Sequence, residues 1–396
     1  MDRILIVVWW LLVLLAAVTA CTGSADRPSQ EADSVLEPAI EQPGTAWSGG
    51  GELLRKAAEG ESVQLPRAQG LLPPVRADLH LDTVTAMMDR GLTWQDPSLE
   101  ASLPALLDAG VNVVVQAAWI PRGVEDPRGV ALGKLHRLRN MVQRSGGRAA
   151  VVTGPEQLEQ VLRDGRLAVI LALEGGTALT QGIATLDEFR ALGLSMVGLT
   201  WTESSSYADS SAEPRTKGGG LTAAGRSLVK ACNDRGILLD VSHMSDRATA
   251  ETIAASRAPV LASHSNDRSQ RAVPRNLSES LLTALARKGG LVGVMFHGPF
   301  LRAGARPNRT DVAAHVKALV DRIGAEHVGI GSDWDGRIRS PVGLQGSRDL
   351  PALYRDLKVA GLTDQELRLV AGDNLLRLWR QVWELRVPAA HRGGSP

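Results

Sequence analysis

Two cysteines, Cys21 and Cys232, are all that this chain of 396 residues carries. A disulfide-stapled scaffold or a thiolate metal cage is thereby excluded, and stability must come from a buried apolar core. Aromatic residues are scarce at 4%, with only two Tyr and three Phe, and no aromatic RNA-binding motif stands out. Charge of one sign is missing too: 44 Lys and Arg face 43 Asp and Glu, for a net charge of +1, and no basic tract occurs. Together these remove support for a nucleic-acid partner. Neither GxGxxG nor GxxxxGK[ST] is found, so no phosphate-cradling loop marks a nucleotide site. What remains, 44% hydrophobic and 22% charged residues, is the make-up of a globular domain with a sizeable core.

The one long apolar run lies at the start. Asp2 and Arg3 lead into Ile4 to Val18, followed by Thr19-Ala20-Cys21. That run is shorter than the roughly 20 residues of a spanning helix and suits the h-region of a secretory signal. The small residues before Cys21 resemble a bacterial lipobox, which predicts a lipoprotein signal peptide over 1–20 and lipidation of Cys21. The alternative is an uncleaved anchor or an ordinary signal. Either places the rest of the chain outside the cytoplasm, and a lipid-anchored protein would sit at the outer membrane or cell surface. With Cys21 lipidated, Cys232 has no internal partner; its apolar helical surroundings predict a small buried hydrophobe.

From Thr22 to about Pro66 the chain is rich in Ser, Gly, Glu, Pro and Ala without a sustained period, which predicts a flexible tether over 21–70 containing a short helix at Gly51 to Ser62. Compact patterning starts near Leu71 and defines a domain over 71–387, with a frayed tail over 388–396. Within it, eight apolar runs predict strands: Ala77 to Asp82, Asn112 to Trp119, Ala168 to Glu174, Ser195 to Trp201, Leu238 to His243, Val260 to His264, Leu291 to Phe296 and Val328 to Asp333. Helical patterns alternate with them, at Leu135 to Arg144, Gln157 to Arg163, Leu186 to Ala191, Ala223 to Arg235, Asp246 to Ser256, Ser278 to Arg287 and Asp311 to Ile323. A last helical stretch, Asp349 to Leu385, carries a break at Gly361-Leu362-Thr363. Continuous apolar strands separated by crossover helices mean a parallel sheet covered on both faces. Eight such units fit a (β/α)8 TIM-type barrel, usually about 250 residues. The rival, a doubly wound open sheet, lacks its phosphate loop.

On that frame, His80, Asp82, Glu174, His243, His264 and Asp333 all fall at C-terminal strand ends, the face that carries active sites in this architecture. Singly, each is weak: a lone histidine is more often a satisfied core residue, and an aspartate a turn cap. Converging, three His, two Asp and one Glu need a cation or a dense hydrogen-bond network to offset burial. Mixed nitrogen and oxygen donors suit zinc or another first-row ion. Six donors exceed one open tetrahedral site, whereas two ions about 4 Å apart sharing a carboxylate would use them all. His136, His315, His327 and His391 have no such placement. His297 and Asp335 stay open between pocket lining and ordinary loop roles.

The motifs Asp78-x-His80-x-Asp82, Leu173-Glu174-Gly175-Gly176, Gly220-Leu221-Thr222-x-x-Gly225, Asp240-Val241-Ser242-His243, Ser263-His264-Ser265, Pro274-Arg275-Asn276-Leu277 and Gly329-Ile330-Gly331-Ser332-Asp333-Trp334-Asp335-Gly336 occur in this order. In combination the chain resembles the membrane dipeptidase (renal dipeptidase) family of zinc peptidases, of the amidohydrolase-like barrels, as a bacterial lipoprotein member. The resemblance implies that His80, Asp82 and Glu174 hold one zinc, that Glu174, His243 and His264 hold a second, and that Glu174 bridges. It implies that Asp333 lies beside the first zinc and shuttles a proton from water to the leaving amine. Arg275 matches the arginine that clamps a dipeptide carboxylate, a task suited to a planar guanidinium, and Asn276 follows it in the substrate-binding motif. Family members are often dimers, so a homodimer is implied as well. One departure stands out: Trp201 replaces a histidine that vertebrate members use near the scissile carbonyl.

The expected function is hydrolysis of dipeptides, including those with a C-terminal D-residue, by a metal-activated hydroxide. The metals are required because bulk water has a pKa of about 15.7 and zinc-bound water about 7. The alternatives are a related amidohydrolase acting on N-acyl amino acids, lactams or esters, which Trp201 motivates, and a binding lipoprotein without turnover.

Overall fold

The computed structural model describes residues 74–214 and 219–388. The expected signal peptide, Cys21, the tether with its Gly51–Ser62 helix, and residues 389–396 of the tail lie outside the described residues. Among those described, no helix is long and apolar enough to cross a membrane.

The strands are β1 (Ala77–Leu81), β2 (Val113–Trp119), β3 (Ala149–Val151), β4 (Leu167–Glu174), β5 (Leu194–Gly198), β6 (Leu238–Asp240), β7 (Leu261–Ser265), β8 (Leu291–Val294) and β9 (Val328–Ile330). All pairings are parallel, in the order β1-β2-β4-β5-β6-β7-β8-β9. The ends meet through Asp333 N donating to His80 O and Asp82 N donating to Trp334 O, both at 3.0 Å, with a parallel bridge between Leu81 and Trp334. The eight expected strands thus close as a barrel. β3, which the sequence pattern did not predict, shares one edge of β4 with β5: it pairs with Leu167 to Val169, and β5 with Leu171 to Glu174. Its opening Ala149-Ala150 has little strand preference and leaves only Val151 as a signal.

Alternation along the strands splits the interior in two. Val113, Val115, Ala168, Ile170, Ala172, Met196, Leu238, Leu261 and Leu291 form one buried cluster with Leu375, Leu376, Trp379 and Val382 of the helix Asp373–Glu384. Val114, Val169, Leu171, Leu173, Val197, Leu239, Val292 and Ile330 join a larger cluster with the surrounding helices. Buried on both faces, the strands are continuous apolar runs, as in the fully buried octet of β4. Asp373 Oδ1 accepts from Val75 N, and Arg76 bridges Gly372, so the last helix closes the N-terminal end of the barrel. The C-terminal mouth is left for chemistry.

The expected helices form with shifted ends, and the C-terminal stretch breaks at Ala360 to Thr363 and again at Gly372. Two short helices next to the site, Thr83–Arg90 and Leu103–Asp108, were not predicted; each has only one or two turns.

Close packing at the β7, β8 and β9 ends relies on missing side chains. A Cβ on Gly331 would lie 1.8 Å from Ser263 O, and one on Gly293 2.0 Å from the same oxygen. Gly331→Ala should therefore destabilise by about 1–3 kcal/mol through overpacking. Gly133→Ala, in the helix Pro127–Gln143 with open space around it, should stabilise by about 0.5–1 kcal/mol. Urea denaturation of the two variants beside the parent checks both signs.

Candidate metal centre and active site

His80 lies in β1, Glu174 ends β4 and His264 lies in β7, so rigid strands present three donors. Asp82 follows β1 by one residue. His243 and Asp333 sit three residues beyond β6 and β9, not in the strands as expected, because both adopt left-handed backbone, with φ of 68° and 66°. Such a conformation is sparse for non-glycine residues and breaks the strand while re-aiming the side chain. The His243 turn is held from outside by Ser211 N donating to His243 O at 2.7 Å.

The six side chains converge as the sequence predicted. Glu174 Oε1 is 2.9 Å from His243 Nε2 and 3.5 Å from His264 Nε2, and these two nitrogens face each other at 2.9 Å. Glu174 Oε2 is 3.4 Å from His80 Nε2, which is 3.9 Å from Asp82 Oδ2 and 4.0 Å from Asp333 Oδ1. Two donor groups result, Glu174-His243-His264 and His80-Asp82-Asp333, with the ligand atoms of each within 4.8 Å of one another. Glu174 reaches both. His80 Nε2, Asp82 Oδ1 and Glu174 Oε2 are buried without a hydrogen-bond partner. Orphaned lone pairs of this kind, on nitrogen and oxygen alone, fit hard or borderline cations.

The protein's own charges divide the cluster. Burial opposes charge on His80, but Glu174, then Asp82 and Asp333, outweigh it and raise the imidazole to about 10. Burial likewise opposes Glu174, yet His80 and the imidazole hydrogen bonds hold it well below the usual carboxylate range. Burial and the Glu174 charge push Asp82 up to about 7, and burial with Asp82 and Glu174 drives Asp333 well above its ordinary value. Burial, then Arg275, lowers His243 to about 4; burial and His80 hold His264 well down.

The cavity over this cluster measures about 260 Å³ and is lined by Asp82, Thr85, Trp119, Glu174, Trp201, His243, His264, Asp333 and Asp335 with Gly336 and Arg337. Larger grooves exist elsewhere, but the orphaned ligand atoms make this smaller one the candidate site. Trp201 stands edge-on to Trp119, ring centres 4.9 Å apart, and its ring centre is 6.3 Å from that of His243. Arg275 is buried beside the cluster and behind the cavity wall, where NH1 donates to Ser265 Oγ and NH2 to His264 O, both at 2.7 Å, and Nε has no partner. Asn276 does not line the cavity: its amide donates to the carbonyls of Arg271 and Phe300 and braces the loop that carries Arg275. His297 accepts from Arg339 N and is likewise off the cavity wall. Asp335 does line it, while its carboxylate accepts from the backbone of Glu100 and Ala101.

Sequence reasoning missed Lys134 and Thr85. Lys134 is 4% exposed, donates to Thr85 Oγ1 at 2.7 Å and lies 4.9 Å from the Trp119 ring centre. Burial lowers its pKa. Its place in the stripe Ala131-Leu135-Leu138 was the available signal, since a lysine there must turn inward.

The shifts predict a pH slope. His80 is raised from 6.5 to about 10, so its stabilisation is complete below pH 6.5 and is lost as pH rises toward 10; Asp333 and Asp82, also raised, act in the same direction. His243 and His264 are lowered, so their contribution is lost only as pH falls below 6.5. Chelator-treated protein should melt at steadily lower temperature from pH 6.5 to 9.5, while metal-loaded protein should show a flatter profile. Scanning calorimetry of both forms reads the difference.

Comparison with known proteins agrees with this geometry. Residues 73–392 match the family described as Membrane dipeptidase (Peptidase family M19). Dipeptidase 3 of Rattus norvegicus is 34% identical over 293 residues, covering 72% of this chain and 59% of the relative. The chain thus spans less than two thirds of that relative's length. Among solved structures, a metallo peptidase from Rhodobacter sphaeroides liganded with a phosphinate mimic of the dipeptide L-Ala-D-Ala superposes with a TM-score of 0.73 at 26% identity, covering 78% of this chain and 99% of that one. A dipeptidase described as a metallo peptidase gives 0.72 at 28% identity, with 78% and 98% coverage. The family match spans the whole barrel and the ligand cluster lies at its mouth: this chain belongs to the membrane dipeptidase family, whose members are metal-dependent peptidases.

Proposed function

We propose that this protein hydrolyses dipeptides with two zinc ions, one held by His80, Asp82 and Glu174 and the other by Glu174, His243 and His264. The observation that carries this reading is the placement of Glu174, whose two oxygens each face a different set of nitrogen donors. Bound zinc would supply an acidified water and a Lewis acid for the carbonyl oxygen. Asp333, as a carboxylate whose proton affinity burial raises, takes a proton from the attacking water and passes it to the leaving amine. Arg275 uses its remaining N–H donors to anchor a free substrate carboxylate. A cavity of about 260 Å³ is below the usual range of about 300–1,000 Å³ for ligand pockets, which favours a substrate no larger than a dipeptide. The phosphinate mimic on the Rhodobacter relative extends the reading to a C-terminal D-residue.

A second reading, an amidohydrolase of N-acyl amino acids, lactams or esters, draws on Trp201. Its indole replaces a polar residue on the cavity wall with an apolar face, which suits an acyl chain. The two separate on a panel of Gly-D-Ala, L,L-dipeptides and N-acetylated amino acids assayed with zinc-loaded protein. Release of amino acid from dipeptides, with the acetylated compounds inert, supports the first; the reverse order sinks it. Asp333→Asn should lower kcat about 10²–10⁴-fold while zinc is retained at Glu174, His243 and His264.

Lipid anchoring at Cys21 belongs to the same proposal and rests on the apolar run 4–18 with its lipobox-like end. Cys21→Ser should move the protein from the detergent phase to the aqueous phase in Triton X-114 partitioning.

A further inference from the structure

Behind the metal cluster, His80, Asp240 and His264 also bring donor atoms within 4.8 Å of one another, like a third ligand set. Their centre is filled by the Ser263 hydroxyl. Ser263 Oγ donates to Asp240 Oδ2 at 2.6 Å, lies 2.7 Å from His264 Nδ1 and lies 3.2 Å from His80 Nδ1. A serine has one proton to give and two lone pairs to receive with. Ser242 Oγ is a more distant neighbour of the same hydroxyl, at 3.4 Å. Once the Ser263 proton points at Asp240, its two lone pairs face the closer imidazoles, and each Nδ1 carries the hydrogen. In the neutral, metal-binding form of each ring, Nε2 is then a bare lone pair aimed into the cluster.

We propose that Ser263, held by Asp240, is the positioning residue that fixes the tautomer of His80 and His264 together, so that one hydroxyl prepares a nitrogen donor for each of the two ligand sets. The direction of its proton is not free. Asp240 is buried and accepts from Ser242 N and Ser263 N through Oδ1, both at 2.9 Å, leaving Oδ2 to the hydroxyl. The Ser263 backbone is fixed as well, because Gly293 and Gly331 let the neighbouring strand ends approach its carbonyl. His243, by contrast, is aimed by its left-handed turn. A partner on the second imidazole nitrogen commonly sets ligand basicity and orientation, and its loss lowers metal affinity about 10–100-fold. The inference rests on the reading that the cluster binds metal, but not on which bond is hydrolysed.

Two variants test it. Ser263→Ala removes the shared acceptor, and zinc affinity should fall about 10–100-fold at both positions at once. Asp240→Asn keeps the volume and, through its amide oxygen, both backbone bonds; its NH₂ then donates to Ser263 Oγ. The hydroxyl proton then turns toward His264 Nδ1 at 2.7 Å, closer than Ser242 Oγ at 3.4 Å, and His264 moves its own hydrogen to Nε2, where it opposes a metal. Long-range ¹H–¹⁵N spectra of histidine-labelled, chelator-treated protein read the tautomer at His264, because His80 carries both hydrogens when no metal is bound; His264 should show Nδ1–H in the parent and Nε2–H in Asp240→Asn. Equilibrium dialysis with zinc should show that variant weakened while its metal-free melting temperature stays near the parent's. Parent-like zinc affinity in both variants, or an Nε2–H tautomer of His264 in the parent, would overturn the proposal. A dipeptide assay on the same samples keeps the readings apart: a parent that binds zinc with Nδ1–H tautomers but cleaves no dipeptide refutes the function and leaves this inference standing.

Discussion

A single carboxylate holds the site together. Glu174 ends the longest barrel strand with its oxygens directed at three imidazoles, and its negative charge is the reference against which every neighbour titrates. It raises His80, Asp82 and Asp333 and is itself kept ionised by the histidines around it. Such a group, 4% exposed, is tolerable only where cationic partners surround it. The barrel supplies that enclosure, since β4 is flanked by β2 on one edge and by β3 and β5 on the other, and nothing at its end can relax.

The mouth combines rigid and strained supports. Strand residues deliver His80, Glu174 and His264, while left-handed turns deliver His243 and Asp333. Asp335 and Arg337, also left-handed, continue the loop after β9, which is tied across the rim by the Asp335 contacts with Glu100 and Ala101. Strain of about 1 kcal/mol or more per residue persists because the surroundings over-determine it. At the opposite end of the barrel, Trp379 and its neighbours seal the interior.

Much of this was legible in the chain. Continuous apolar runs gave all eight barrel strands, and titratable residues at their ends gave all six members of the cluster. The failures have physical causes. β3 opens on two alanines, which carry little strand preference. The strand ends at His243 and Asp333 were overextended because nothing in a residue's identity announces positive φ when it is not glycine. Asn276 read as a substrate contact from its place beside Arg275, but its amide braces a loop. Lys134 reads as solvated until the helix face is known to pack against Trp119.

The sequence by itself determined the parallel barrel, the face on which chemistry occurs and the donor set, because periodicity and the order of strand ends are properties of the chain alone. Tertiary structure decided what those donors can do: which oxygen of Glu174 meets which imidazole, how burial divides the protons, and how Ser263 stands between His80 and His264. Those facts depend on residues far apart in the chain, 183 positions in the case of His80 and Ser263, and only the closed barrel brings them together.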